Sequence, residues 1–191
     1  MWLYILTLLI VINVASFSVY IYDTVFGKNH PHLFSWIPWT IFVGVGFIAQ
    51  MKNGAGLWAI TTWITLLGHA IVCVLSLKYW EKKITFSDKI ALYSALSIIP
   101  IWILTENDVL AVILASSIDI ISLYPTLRKS YNKPYEENVL SKIMSGTKDI
   151  LSLLIIQNFI FVNVFYILTI GISTLFSAIF ILVRRHSVSK K

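Results

Sequence analysis

The stretch Ser116-Ser-Ile-Asp119-Ile-Ile-Ser-Leu-Tyr-Pro125-Thr-Leu-Arg128-Lys129-Ser-Tyr-Asn-Lys133-Pro134-Tyr-Glu-Glu-Asn138-Val-Leu-Ser141 sets a carboxylate deep in an apolar run. A proline, a short basic segment with a second proline and the start of another apolar run follow. Asp119 has ~10 helical residues on either side, which at ~1.5 Å per residue puts it near the midplane of a bilayer. A charge at that depth costs several kcal/mol unless it is neutralised, paired or wetted. The following run, 138–156, carries charges of its own in Lys142, Lys148 and Asp149. The pattern predicts a helix that breaks at Pro125, a basic turn, and a second helix whose polar groups point inward.

The rest of the chain fits that environment. With 58% hydrophobic, 14% aromatic and 13% charged residues in 191, it has more apolar surface than one soluble core of this size buries, which marks an integral membrane protein. A span takes ~20 mostly apolar residues, so after loops there is room for about seven spans and no soluble domain. The single cysteine, Cys73, excludes an intrachain disulfide and any CxxC motif. Residues 2–17 have the apolarity of a signal-peptide core. They lack a preceding Lys or Arg and a small-x-small cleavage site, so they are expected to stay as the first helix. The formal charge of +6 lies in short loops and at the C-terminus, a topology pattern and not a nucleic-acid surface.

The expected spans are 2–22, 35–51, 57–77, 90–104, 109–127, 138–156 and a last one ending at 183, followed by a basic cytoplasmic tail, 184–191. Pro38 falls in the first turn of the second span, where its missing N–H does no harm. Pro100 kinks the short fourth span and Pro125 ends the fifth, and these three prolines are the hinge candidates. If the first helix starts outside, the inner loops hold every loop Lys and Arg except Lys52. The positive-inside rule then puts the N-terminus outside and the C-terminus in the cytoplasm, with an odd number of spans.

An internal repeat accompanies that count. Tyr22-Asp-Thr24 aligns with Tyr124-Pro-Thr126, and Asn29-His-Pro31 aligns with Asn132-Lys-Pro134 after a one-residue gap. Each match follows one long apolar run and precedes another. The expected architecture is an all-α polytopic membrane protein whose seven helices form two parallel three-helix bundles, 1–77 and 109–183, joined by a connector helix in 78–108.

On these residues, with Trp36-Ile-Pro-Trp39 as a further element, the chain resembles the PQ-loop, SWEET and nicotinamide-riboside (PnuC) transporter superfamily as a distant bacterial relative. Pro125-Thr126 stands where a Pro-Gln pair would be, and Asp23 replaces the first proline. The resemblance implies a bacterial inner-membrane transporter or facilitator that moves a small polar metabolite (sugar, nucleoside, vitamin or amino acid) by alternating access. It implies no cofactor, with lipid, substrate and a homo-oligomeric copy as partners. The alternative is a non-transporting sensor or receptor on the same fold, as in the endoplasmic-reticulum retention-signal receptor. An enzyme is disfavoured because the sequence has no His/Asp/Glu cluster at metal-ligand spacing, no nucleophile elbow and no phosphate-cradling glycine loop.

The candidate substrate-binding or coupling residues are Asp119 and Lys148, expected to meet across neighbouring helices as an ion pair, together with Asn13, His69, Trp58, Trp63 and Trp102. Adjacent residues project about 100° apart, so Lys148 and Asp149 are expected to face different grooves, one of them pairing with Lys142, Ser145 or the last span. Trp2, Trp36, Trp39 and Trp80 read as an interfacial belt. Arg128, Lys129 and Lys133 read as topology signals that meet lipid headgroups.

Overall fold

The computed structural model describes residues 2–54, 56–79, 81, 83–105 and 107–189, with Trp58, Ile98, Trp102, Thr105 and Ser189 described by backbone alone. Among them it contains seven α-helices and no strand: α1 (Trp2–Val25), α2 (Leu33–Lys52), α3 (Ala59–Tyr79), α4 (Phe86–Thr105), α5 (Asp108–Asn132), α6 (Val139–Ser152) and α7 (Phe161–Ser189). Short 3-10 turns cover Gly56–Trp58 and Leu153–Ile155. Two starts are capped by asparagine: Asn107 Oδ1 accepts from the Leu110 N–H (3.0 Å) and Asn138 Oδ1 from that of Ser141 (2.7 Å).

Five helices, α1, α2, α3, α5 and α7, are long and apolar enough to cross a membrane. The molecule is inside out relative to a water-soluble protein. Leu3, Val74, Leu104 and Ile179 are exposed, whereas Asn13, Asp119, Lys129, Glu137 and Lys148 are buried. Water would penalise that apolar exterior and a bilayer does not.

Several boundaries differ from the expectation. α5 does not break at Pro125 but continues to Asn132, because only one backbone hydrogen bond is lost there and the residues beyond, Thr126, Lys129 and Ser130, are held by burial. All three hinge prolines lie inside helices, Pro38 in the second turn of α2 and not the first. α4 is longer than the expected span, since it takes in Asp88 and Lys89. α6 stops after 14 residues and ends in the 3-10 turn, too short by itself for the ~20 that a span requires. α7 runs past Val183, so most of the expected tail is helix.

The main packing partners of six helices close a ring in the order α1, α3, α2, α5, α7, α6 and back to α1, while α4 packs on α5 and α2. Two junctions carry similar polar ties. Thr126 of α5 donates to Ser35 of α2 (2.9 Å), and Asn138, the cap of α6, donates to Asp23 of α1. Close approach of α6 to α7 depends on two glycines: a Cβ on Gly146 would lie 3.1 Å from the Gly171 carbonyl, and one on Gly171 would lie 3.3 Å from Asp149 Cβ.

The loops sort into two ends. At one, the Glu81 N–H donates to the Pro31 carbonyl (3.2 Å), the His30 N–H to that of Glu136 (3.3 Å), and Arg185 to those of Pro134 (2.9 Å) and Glu137 (2.7 Å). The three loops expected on the inner side and the end of α7 therefore meet there. At the other end, Asn53 donates to Asp108 (2.9 Å) and Asn158 to the Asn53 carbonyl (3.2 Å).

Candidate functional site

The ring encloses a cavity of about 70 Å³, counted as space open to the centre of a water-sized sphere. Its two sides differ. α1 and α2 supply an aromatic wall of Phe17, Tyr20, Trp36, Trp39 and Phe42, to which α3 adds His69. α5, α6 and α7 supply charge and hydroxyls, among them Asp119, Lys142, Asp149, Ser145 and Ser173.

Asp119 is buried, and its Oδ2 accepts from Ser173 Oγ at 2.5 Å. The Trp39 indole N–H donates to the Asp119 backbone carbonyl (3.2 Å), and the Lys142 ammonium lies 5.7 Å from the Trp39 ring centroid. Trp39 therefore touches the helix of one charge and the head of the other. Lys142 stands 3.8 Å from Glu137 Oε2.

The expected meeting of Asp119 with Lys148 does not occur. Lys148 pairs with Asp149 and also donates to Thr65 Oγ1 (3.2 Å). The 100° between neighbouring Cβ vectors separates their stems, but a four-carbon lysine chain is long enough to curl back to the next residue. Lys148 lines a smaller void of about 10 Å³, room for about one water, beside Asp149, Thr65 and Tyr166. Asp149 borders both spaces and is the second carboxylate of the main cavity, which Lys148 does not line.

The other candidates divide. His69 lines the cavity, 5.4 Å from the Phe17 ring and 5.1 Å from that of Trp36. Its Nδ1 lies 2.9 Å from the Thr65 carbonyl, which only accepts, so that nitrogen carries the proton. Asn13 is fully buried but ties α1 to α3 through the Thr61 carbonyl (2.9 Å) and Thr65 Oγ1 (3.0 Å). Trp63 is 45% exposed and packs on Phe47, so it faces outward from the cavity. The side chains of Trp58 and Trp102 lie outside the described residues.

Sequence reading missed the aromatic wall and the lock at the basic end. Trp36 and Trp39, expected at the interface, are buried in the cavity wall. Lys129, expected on lipid, is 2% exposed and spends its three protons on the His30 carbonyl (2.5 Å), the Glu136 carbonyl (3.0 Å) and Glu137 Oε1 (2.5 Å). Arg128 holds Asp88 in a two-pronged pair (2.9 and 2.7 Å), and His32 Nε2 lies 3.4 Å from the same carboxylate. Burial would raise the Glu137 carboxyl, but Lys129 and Lys142 outweigh it and hold it below the usual range. Burial pushes the His32 imidazole down to about 4, against Asp88 and with Lys129 and Arg128.

Among the described residues no three of His, Cys, Asp and Glu converge on a point that could hold a metal ion. No protein-family profile, curated protein or solved structure matches this chain.

Proposed function

We propose that the protein is a transporter or facilitator that carries a small polar metabolite across a membrane through the ring of six helices. The observation that carries the proposal is the cavity itself: a void lined by Asp119, Asp149 and Lys142 inside a molecule with an apolar exterior. Charges buried at bilayer depth are costly, and a wetted or liganded path through the bundle is the usual reason they persist. In this reading α4 and α6 also cross the bilayer, α6 with its 3-10 extension and its polar face turned inward. The six ring helices form two related three-helix units, and α4 is their connector. The ring order supports this, since α3 lies between α1 and α2 as α7 lies between α5 and α6. The matching Thr126–Ser35 and Asn138–Asp23 ties, which involve the aligned segments, support it too.

The inner-membrane location and the N-out, C-in orientation belong to the same proposal, and the gathering of Lys28, Lys83, Arg128, Lys133 and Arg184 at one end supports the orientation. A reporter fused after Val183 checks the orientation, and activity only in an external reporter would reverse it. The function is tested by uptake of labelled sugars, nucleosides and amino acids into proteoliposomes. Uptake above empty liposomes, reduced at least tenfold by Asp119→Asn in a protein that still folds, is the expected result. Uptake of none of these classes by a folded, unidirectionally inserted protein counts against transport.

A further inference from the structure

Resting on the transporter reading, we propose that the cavity takes a zwitterion, an α-amino acid whose ammonium meets Asp119 and whose carboxylate meets Lys142, with its side chain on the aromatic wall. Lys129, Lys142, Lys148, Asp119, Glu137 and Asp149 are all buried, and of these Lys142, Asp119 and Asp149 line the space. Two pairs are made tightly: Lys148 with Asp149, and Lys129 with Glu137. Lys142 is left with a share, at 3.8 Å, of the Glu137 carboxylate that Lys129 already holds. Asp119 is left with a hydroxyl, and among the described residues it has no ion-pair partner within 4.0 Å.

These two residues are 8% and 6% exposed, line one void and do not meet, and the Trp39 indole bonds to the backbone of Asp119 while the Lys142 ammonium lies 5.7 Å from its ring centroid. A buried carboxylate and a buried ammonium that face a shared space without contact each lack a full counter-charge. A ligand with both charges supplies both and adds no net charge to the cavity. A sugar or an uncharged nucleoside offers hydrogen bonds but compensates neither group, and a simple cation or anion compensates one and leaves the other. The void of about 70 Å³ restricts the ligand to a small amino acid. The division of the walls orders the ligand, with its charged head toward α5 and α6 and its side chain toward Phe17, Trp36 and Phe42.

The test uses the purified full-length chain, first in detergent and then in liposomes. Thermal stabilisation is measured with each of the twenty protein amino acids, with uridine and glucose as uncharged comparators. For the amino acid that stabilises most, its methyl ester, its decarboxylated amine and its deaminated acid follow. The amino acid is expected to bind roughly tenfold or more tightly than any singly charged relative, the size expected for one charge-assisted contact. Asp119→Asn should abolish the preference over the deaminated acid, and Lys142→Gln the preference over the decarboxylated amine. These are changes of selectivity, which a general loss of stability does not imitate. The wild-type comparison needs no variant at all. If no amino acid outbinds its singly charged relatives, or uridine or glucose binds better, the zwitterion proposal is overturned, and uptake of those sugars or nucleosides would leave transport standing alone. If an amino acid binds with both selectivity changes but no probe is taken up, the site is sustained and the transport reading fails.

Discussion

At the basic end of the ring, a single ammonium, that of Lys129, ties the loop before α2, the loop before α6 and the carboxylate of Glu137. At the opposite end the cavity stops against Phe42 and Val43, with the Tyr166 ring 5.1 Å from that of Phe42 and a core of Ala49, Val112, Ile155 and Val162 beyond. Ionic contacts are directional and respond to protons. Apolar contacts respond to volume and are indifferent to pH. Two closures built from different interactions open under different perturbations, so each can be broken with the other left intact.

The largest effect is expected from Lys129→Met. It leaves Glu137 buried with only Lys142, at 3.8 Å, as a counter-charge and takes the ammonium donor from the His30 carbonyl, a loss of ~3–5 kcal/mol in detergent unfolding. Adding Glu137→Gln should recover a large part of it. If the single variant is as stable as the parent, the ionic lock is dispensable and the comparison between the ends collapses.

Acid should loosen the same end next. His32 is held near 4, below its ordinary value, so the unfolded chain takes up its proton first as pH falls. The stability it contributes is complete above pH ~6.5 and is lost between ~6.5 and ~4, about 3 kcal/mol in all. Glu137 and Glu81 are held below their usual values as well, so their contributions are lost on the acid side of the ordinary carboxylate range, in the same direction. The groups that face His32, namely Asp88, Arg128 and Lys129, stay in place in His32→Gln, which should flatten the upper part of the unfolding profile. An unchanged profile in that variant would remove His32 from the account.

The smallest expected effect is at the apolar end. A Cβ on Gly46 would lie 2.0 Å from Tyr166 Cε2, so Gly46→Ala must displace that ring, a loss of ~1–3 kcal/mol. The loss should be equal at pH 7.5 and pH 5. A loss that grows on acidification would show that the ends are not chemically separate.

Much of the helical layout was legible. Apolar runs between basic loops marked the helices, and the charge pattern grouped the segments that meet at one end. Asp119 was legible as a buried carboxylate because flanking apolar residues define depth without reference to other helices. Its surroundings were not, because which helix lies opposite is a tertiary fact. Trp36 and Trp39 show why: a tryptophan near a helix start has the same local sequence whether it faces headgroups or a cavity. Lys129 looked like a loop cation because its three partners are 99, 7 and 8 residues away. Lys148 misled for a different reason, since helical geometry fixes Cβ directions and not the path of a flexible lysine chain.

Trp39 joins the two halves of the ring in a way that ties recognition to shape. Its N–H is bonded to the α5 backbone at Asp119, while its face lies beneath the Lys142 head on α6. α2 therefore cannot slide along α5 without breaking that bond or carrying the Asp119 backbone with it. A shift of α2 against its neighbours is thus felt both at the backbone of the buried carboxylate and at the ring beneath the ammonium, through a single indole.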